Sequence, residues 1–112
     1  MHSELRLRRR EDFSRVYRYG QSVSNLKFVV YYLPNSKLEK FRVGISASKK
    51  IGTAVIRNRV RRLVKEVVRQ HAEKVKSKFD FVFIAKKTTA ELSFEECERN
   101  VLHIMKKAAL FK

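Results

Sequence analysis

Apolar residues recur at helical spacing in some blocks of the chain and at strand spacing in others. Phe13, Val16 and Tyr17 fall at i, i+3 and i+4. They follow Glu11 and Asp12, acids that suit the exposed N–H groups of a helix start. Gly20 is the expected left-handed cap of that helix. KFVVYYL, Lys27 to Leu33, mixes β-branched and aromatic residues and stops at Pro34-Asn35-Ser36, which predicts a strand. FRVGISA alternates Phe41, Val43, Ile45 and Ala47 on one face and predicts a second strand. The turn between them predicts an antiparallel hairpin with a longish loop; a short extra strand near Gln21–Ser24 has a weaker signal. Ile56, Val60, Leu63, Val64, Val67 and Val68 make one stripe on a helix from about Val55 to Gln70, with Thr53 as its cap. FDFVFIA, Phe79 to Ala85, is the third clear strand. Ser93-Phe94-Glu95-Glu96 is a capping box, with Leu92 and Cys97 placed as a hydrophobic staple. It opens a last helix to about Leu110, buried along Phe94, Cys97, Val101, Ile104, Met105 and Ala108. The order predicts an α+β sandwich of helices packed on a sheet.

Composition sharpens this. A chain of 112 residues with one Pro and three Gly predicts a single domain over 1–112, without a linker. A basic arm, free to be flexible, covers residues 1–10. The 27 Lys and Arg face only 11 Asp and Glu, for a formal charge of +16. Small domains usually carry a net charge of magnitude about 2–8, so a polyanion is the expected partner. Disorder is excluded because 44% of the residues are hydrophobic and they sit in periodic blocks. The single cysteine, Cys97, permits no internal disulfide and reads as a core residue. The start lacks an apolar signal core, and no apolar run approaches the roughly 18 residues of a membrane span. The expectation is a cytoplasmic protein with no membrane partner.

The charge is concentrated between Ser46 and Arg69, which hold eight Lys or Arg and one acid, Glu66. On the helix, Arg57, Arg61 and Lys65 lie at i, i+4 and i+8, and Asn58, Arg62, Lys65 and Arg69 form the adjacent row. Arg59 flanks them, and Lys49 and Lys50 sit just upstream. A solvated face normally mixes signs for i, i+4 support. Arginine's planar fork suits phosphates and base stacking, so this face is a candidate RNA surface. Phe13, Tyr17 and Tyr31 are candidates for a platform on which unstacked bases lie, with core packing as the alternative. Tyr31 and Tyr32 must point to opposite faces of the sheet.

A helix-turn-helix is disfavoured because the block before the basic helix is strand-like. Protein-based catalysis also lacks a constellation. Asp12, Glu66 and Asp80 are scattered, and His2, His71 and His103 are isolated. Asp80 reads as an edge or solvent-face residue. Glu91, Glu95, Glu96 and Glu98 read as complements to a helix N-terminus.

KKIGTAVIRNRVRRLVKE, centred on Arg57-Asn58-Arg59, resembles the signature of the bacterial ribonuclease P protein subunit family. EDFSRVYRYG, FVVYYL, FRVGISASKK and FVFIAKK extend the resemblance over nearly the whole chain in the same order. The resemblance implies an α-β-β-β-α-β-α fold with a sheet of about four mixed strands and a left-handed crossover through the basic helix. It implies a protein that joins a catalytic RNA, binds it, and grips the 5′ leader of precursor tRNA while the RNA removes that leader. It implies Mg2+ held mainly by the RNA, no protein catalytic residue, and no required protein partner. Lys49, Lys50, Arg57, Asn58, Arg59, Arg61, Arg62, Lys65 and Arg69 match the family's RNA-contacting loop and helix. Phe13, Tyr17 and Tyr31 match its leader cleft, with Ser46 and Ser48 at the neighbouring strand end. Tyr17 stands where Phe is also familiar, and Arg10 precedes Glu11 where a better capping residue could stand. The alternative functions are a structural RNA-binding protein of ribosomal type, a protein-only nuclease and a DNA-binding module.

Overall fold

Residues 5–112 are described by a computed structural model. Along the chain run α1 (Arg10–Tyr19), β1 (Gln21–Ser24), β2 (Phe28–Pro34), β3 (Phe41–Ser46), α2 (Ala54–Gln70), β4 (Phe79–Ala85) and α3 (Phe94–Lys107). Short 3-10 turns precede β4 at Ala72–Lys74 and α3 at Lys87–Glu91.

The strands form one four-stranded sheet in the order β1-β2-β4-β3. The expected hairpin between β2 and β3 does not form. β4 lies between them, antiparallel to β2 and parallel to β3. The reason lies in burial: β4 carries Asp80, Phe81, Val82 and Phe83 buried in succession, on both faces. A strand apolar on both sides belongs at the centre of a sheet. The parallel β3–β4 pair then requires a long crossover, which α2 supplies.

One face of the sheet carries the main core. Phe28 and Val30 of β2, Val43 of β3 and Phe81 and Phe83 of β4 meet Val60, Val64, Val67 and Val68 of α2 and Cys97, Val101, Ile104 and Met105 of α3. The Phe81 ring stacks on Phe41 at 5.4 Å and meets Phe83 edge-on at 5.9 Å. Each such side chain contributes about 1.5–3 kcal/mol on burial. Burial also pushes the Cys97 thiol up to about 12, as an inert core cysteine requires.

Local signals at the helix ends operate largely as read. Thr53 accepts from the Ile56 N–H, and Ser93 and Glu96 close a reciprocal capping box. Leu92 and Cys97 are both buried, as a staple needs. Two helix ends differ from expectation. α3 stops at Lys107, because Ala109 adopts φ 57 and the Leu110 N–H returns to the Met105 carbonyl. Gly20 is extended, at φ −81 and ψ 166, and is not a left-handed cap. Glycine is needed there for space: a Cβ would lie 2.5 Å from the Val16 carbonyl oxygen and 2.7 Å from that of Tyr32.

The opposite face is covered by α1, and the basic N-terminal segment runs along the free edge of β3, where Arg6 bridges Val43. Residues 1–4 of that arm lie outside the described residues. Leu5 and Leu7 are buried, and the Leu7 N–H donates to the Val43 carbonyl at 2.9 Å. Leu5 enters the main core and Leu7 the face under α1, while Arg6 stays half-buried and Arg8 exposed. Val16, Leu7 and Val82 form a small second core, bordered by Phe13, Tyr31 and Leu33.

Candidate nucleic-acid interface

The buried valines of α2 orient its cations. With Val60, Val64, Val67 and Val68 inside, Asn58, Arg62 and Arg69 are exposed and Arg57, Arg61 and Lys65 are half-buried. Asn58 accepts from Arg61 Nη1 at 2.8 Å, which holds that guanidinium along the helix. Glu66 is occupied within the face. Arg69 donates to it through Nε at 2.9 Å, and Gln70 adds a bond at 3.2 Å. The Arg69 and Gln70 donors hold the Glu66 carboxyl down at about 2.

Arg59 is placed differently from its neighbours. Its guanidinium donates to the carbonyls of Ala90 and Leu92, strapping α2 to the turn before α3. Its hydrogen bonds are to protein, while the Arg62 side chain makes none among the described residues.

Lys65 connects the helix to the other sheet face. Burial lowers its pKa, and the charges of Arg6 and Arg61 lower it further. Three cations thus crowd together. Among the described residues, Arg6 Nε and Arg57 Nε are buried without a hydrogen-bond partner. Beside Lys65 opens a concavity of about 330 Å³, lined by Arg6, Arg8 and Lys65 together with Phe13, Gly44 and Ile45.

The aromatic cleft begins at that point. The Phe13 and Tyr17 rings are 6.3 Å apart, and Tyr17 meets Tyr31 edge-on at 5.2 Å. Tyr17 remains 38% exposed, so the cluster is half core and half surface. Gly44 makes room for it: a Cβ at this position would lie 2.5 Å from Phe13 Cζ. Burial raises the Tyr17 phenol above its ordinary value, and the Ser46 hydroxyl partly offsets this. Ser48, Lys49 and Lys50 follow in an exposed turn at the end of β3. Tyr32 faces the other way, toward Phe79, with its hydroxyl donating to Gln21 at 3.1 Å.

The structure therefore brings Phe13, Tyr17, Tyr31 and Ser46 together, and places Lys65 and Arg61 beside them. Arg6, Arg8 and Gly44 join the same surface, although the sequence pattern gave them no such place. Asp80 is the clear correction. It is fully buried in the central strand and accepts from Arg15, Arg42 and Asn35. Among the described residues, no group of three or more His, Cys, Asp or Glu could hold a metal ion.

The family model for ribonuclease P matches residues 1–109. The chain belongs to the ribonuclease P protein family. It is 46% identical over 112 residues to the ribonuclease P protein component of Bacillus velezensis, covering all of this chain and 96% of that one. It is 42% identical to the ribonuclease P protein component of Halalkalibacterium halodurans, covering 100% and 94% of the two chains. The RNase P protein of Staphylococcus aureus superposes with a TM-score of 0.91 at 34% identity, over 96% of this chain and 98% of that one. The Thermotoga maritima RNase P protein, solved with 1-(4-fluorophenyl)-2-thiourea, gives 0.84 at 33% identity, over 91% and 98%. These matches support the role of ribonuclease P protein subunit in tRNA processing, and with it the association with that ribonucleoprotein enzyme. They also give the resemblance over the basic helix its whole-chain context.

Proposed function

We propose that this ribonuclease P subunit binds the catalytic RNA through α2 and its entry turn, and passes the 5′ leader of precursor tRNA over the Phe13–Tyr17–Tyr31 cleft. The RNA surface comprises Lys49, Lys50, Arg57, Asn58, Arg61, Arg62, Lys65 and Arg69, with Arg59 bracing α2 from within. The observation that carries the reading is the continuity at Lys65. There the cation row of α2 runs into the wall of the aromatic cleft, through one concavity shared by Arg6, Lys65 and Phe13.

Each phosphate neutralised releases counterions, so a row of arginines supplies affinity that falls with salt. Aromatic stacking contributes about 1–3 kcal/mol per base with little sequence preference, as a cleft serving many precursor leaders requires. The protein thereby lets two polyanions approach each other.

Mg2+ belongs to the RNA side of this reading, where it supplies the chemistry of phosphodiester hydrolysis. Asp12, Asp80 and Glu66 do not fit a protein-held ion, because arginines occupy them. Asp12 and Asp80 accept from Arg15 and Arg42, and Glu66 accepts from Arg69. We place the complex in the cytoplasm; no helix among the described residues is long and apolar enough to cross a membrane.

The test is cleavage of a 5′-labelled precursor tRNA at low magnesium by the protein alone, a bacterial ribonuclease P RNA alone, and both together. Cleavage at the mature 5′ end that depends on both is the expected result. Cleavage by protein alone would overturn the division of labour. Tight RNA binding with no effect on cleavage would favour the ribosomal-type alternative.

A further inference from the structure

Asp80 has no part in the surface just described, yet it is the best-satisfied carboxylate of the sheet. Arg42 donates to it through Nε at 2.7 Å and Nη2 at 3.0 Å. Arg15 Nη2 donates at 2.7 Å and Asn35 Nδ2 at 2.9 Å. The same two arginines reach a second acid: Arg15 Nη1 donates to Asp12 at 2.9 Å and Arg42 Nη1 at 3.4 Å. Two carboxylates and two guanidinium groups thus join α1 to the centre and edge of the sheet.

Burying such a cluster is not the cheapest route to stability, since apolar side chains of similar volume often serve as well. The cluster provides direction instead, because a guanidinium fork fixes the approach of its acceptors. Direction matters at α1. The helix has ten residues, its start has no side-chain cap, and Val16 is its one buried residue. Helices this short are marginal alone, and a single valine does not set the roll of a helix about its axis. Yet Phe13 and Tyr17 project from α1 toward Gly44 and Tyr31, and a small roll would open their contacts.

We propose that the Asp12–Arg15–Arg42–Asp80 cluster is a clamp that fixes the roll of α1, and that these four are positioning residues for the stacking cleft. The proposal rests on the reading that this cleft takes the leader.

The test uses holoenzyme reconstituted with a bacterial ribonuclease P RNA, and compares precursor tRNA carrying a long leader with one carrying a single leader nucleotide. Asp12→Asn replaces one of the two acceptor oxygens of Asp12 by a donor and raises the net charge by one unit. General electrostatics therefore predicts equal or tighter RNA binding. The clamp predicts the opposite: long-leader affinity falls on the order of tenfold, about the worth of one stacked base, while short-leader affinity holds. Arg15→Met should do the same, and Arg15→Lys should restore part of the loss. Hydrogen exchange should quicken in α1 while β4 and α3 keep their protection. Asp12→Asn binding the long leader as tightly as the parent protein would overturn the clamp, as would exchange quickening across β4 and α3 together. Tyr31→Ala is the control. If it weakens long-leader binding and the clamp variants do not, only the clamp is wrong. If it too has no effect, the cleft reading fails and takes the clamp with it.

Discussion

Phe81 and Val82 are neighbours on β4, and the two faces they enter are built differently. Phe81 joins a continuous apolar layer closed by α2 and α3. Val82 joins a small cluster with Leu7 and Val16, beside an ion cluster and half-exposed aromatic rings. The first face holds the molecule together mainly with apolar area, braced by Arg59 on the carbonyls of Ala90 and Leu92. The second has too little area for that, and uses directed bonds to keep an open surface in shape. A protein that must both fold under high positive charge and leave aromatics uncovered separates the two tasks by sheet face.

That contrast can be broken by substitution, most forcefully on the closed face. Phe81→Ala should destabilise by about 3–5 kcal/mol in urea unfolding, and affect RNA affinity only through the unfolded fraction. A folded Phe81→Ala protein that binds the leader poorly would show that the faces are not separate. On the open face, Gly44→Ala should push Phe13 out of place, costing about 1–3 kcal/mol of stability and weakening long-leader binding as well. Tyr31→Ala should lower affinity for long-leader substrate by about 1–3 kcal/mol and leave leaderless tRNA unaffected; equal losses on both would indicate a fold defect. Arg62→Ala should leave stability within about 0.5 kcal/mol and reduce the salt slope of RNA binding by about 1. An unchanged slope would remove Arg62 from the interface.

Acid sharpens the same comparison. Burial alone would raise the Asp80 carboxyl, but donors from Arg42, Asn35 and Arg15 hold it below its ordinary value of 3.8. A carboxyl lowered in the folded state contributes stability that is present above its unfolded pKa and lost as pH falls through the folded one. Urea midpoints should therefore show the parent protein losing its advantage over Asp80→Asn below about pH 4. The apolar area of the closed face does not depend on acid, and it should keep β4 and α3 protected from exchange after α1 has loosened.

Much of this was legible in the chain. The stripe from Ile56 to Val68 located α2 and therefore its cations, and Ser93 with Glu96 located the start of α3. Pairing was less legible. The order of β2 and β3 in sequence suggested a hairpin, because local patterns do not say which later strand will enter between them. Asp80 was misplaced for the same reason. Its partner across the parallel pair is Arg42, and that register exists only once β4 lies beside β3. The inward turn of Arg59 also depends on a contact distant in sequence, since helical spacing alone places it beside Arg62. The aromatic residues of the cleft were visible as residue types, but Gly44, which makes their arrangement possible, looked like any strand glycine.

The insertion of β4 bears on how the chain comes to fold at all. β3 is complete at Ser46, while its neighbour in the sheet begins only at Phe79. A growing polypeptide emerging from a ribosome would hold β2 and β3 with unfilled edges until the middle of the sheet arrived. Such non-local pairing slows assembly. It also makes premature edge-to-edge association the natural hazard of synthesis. The repulsion among the cations of α2, which emerge during that interval, opposes such association between unfinished chains.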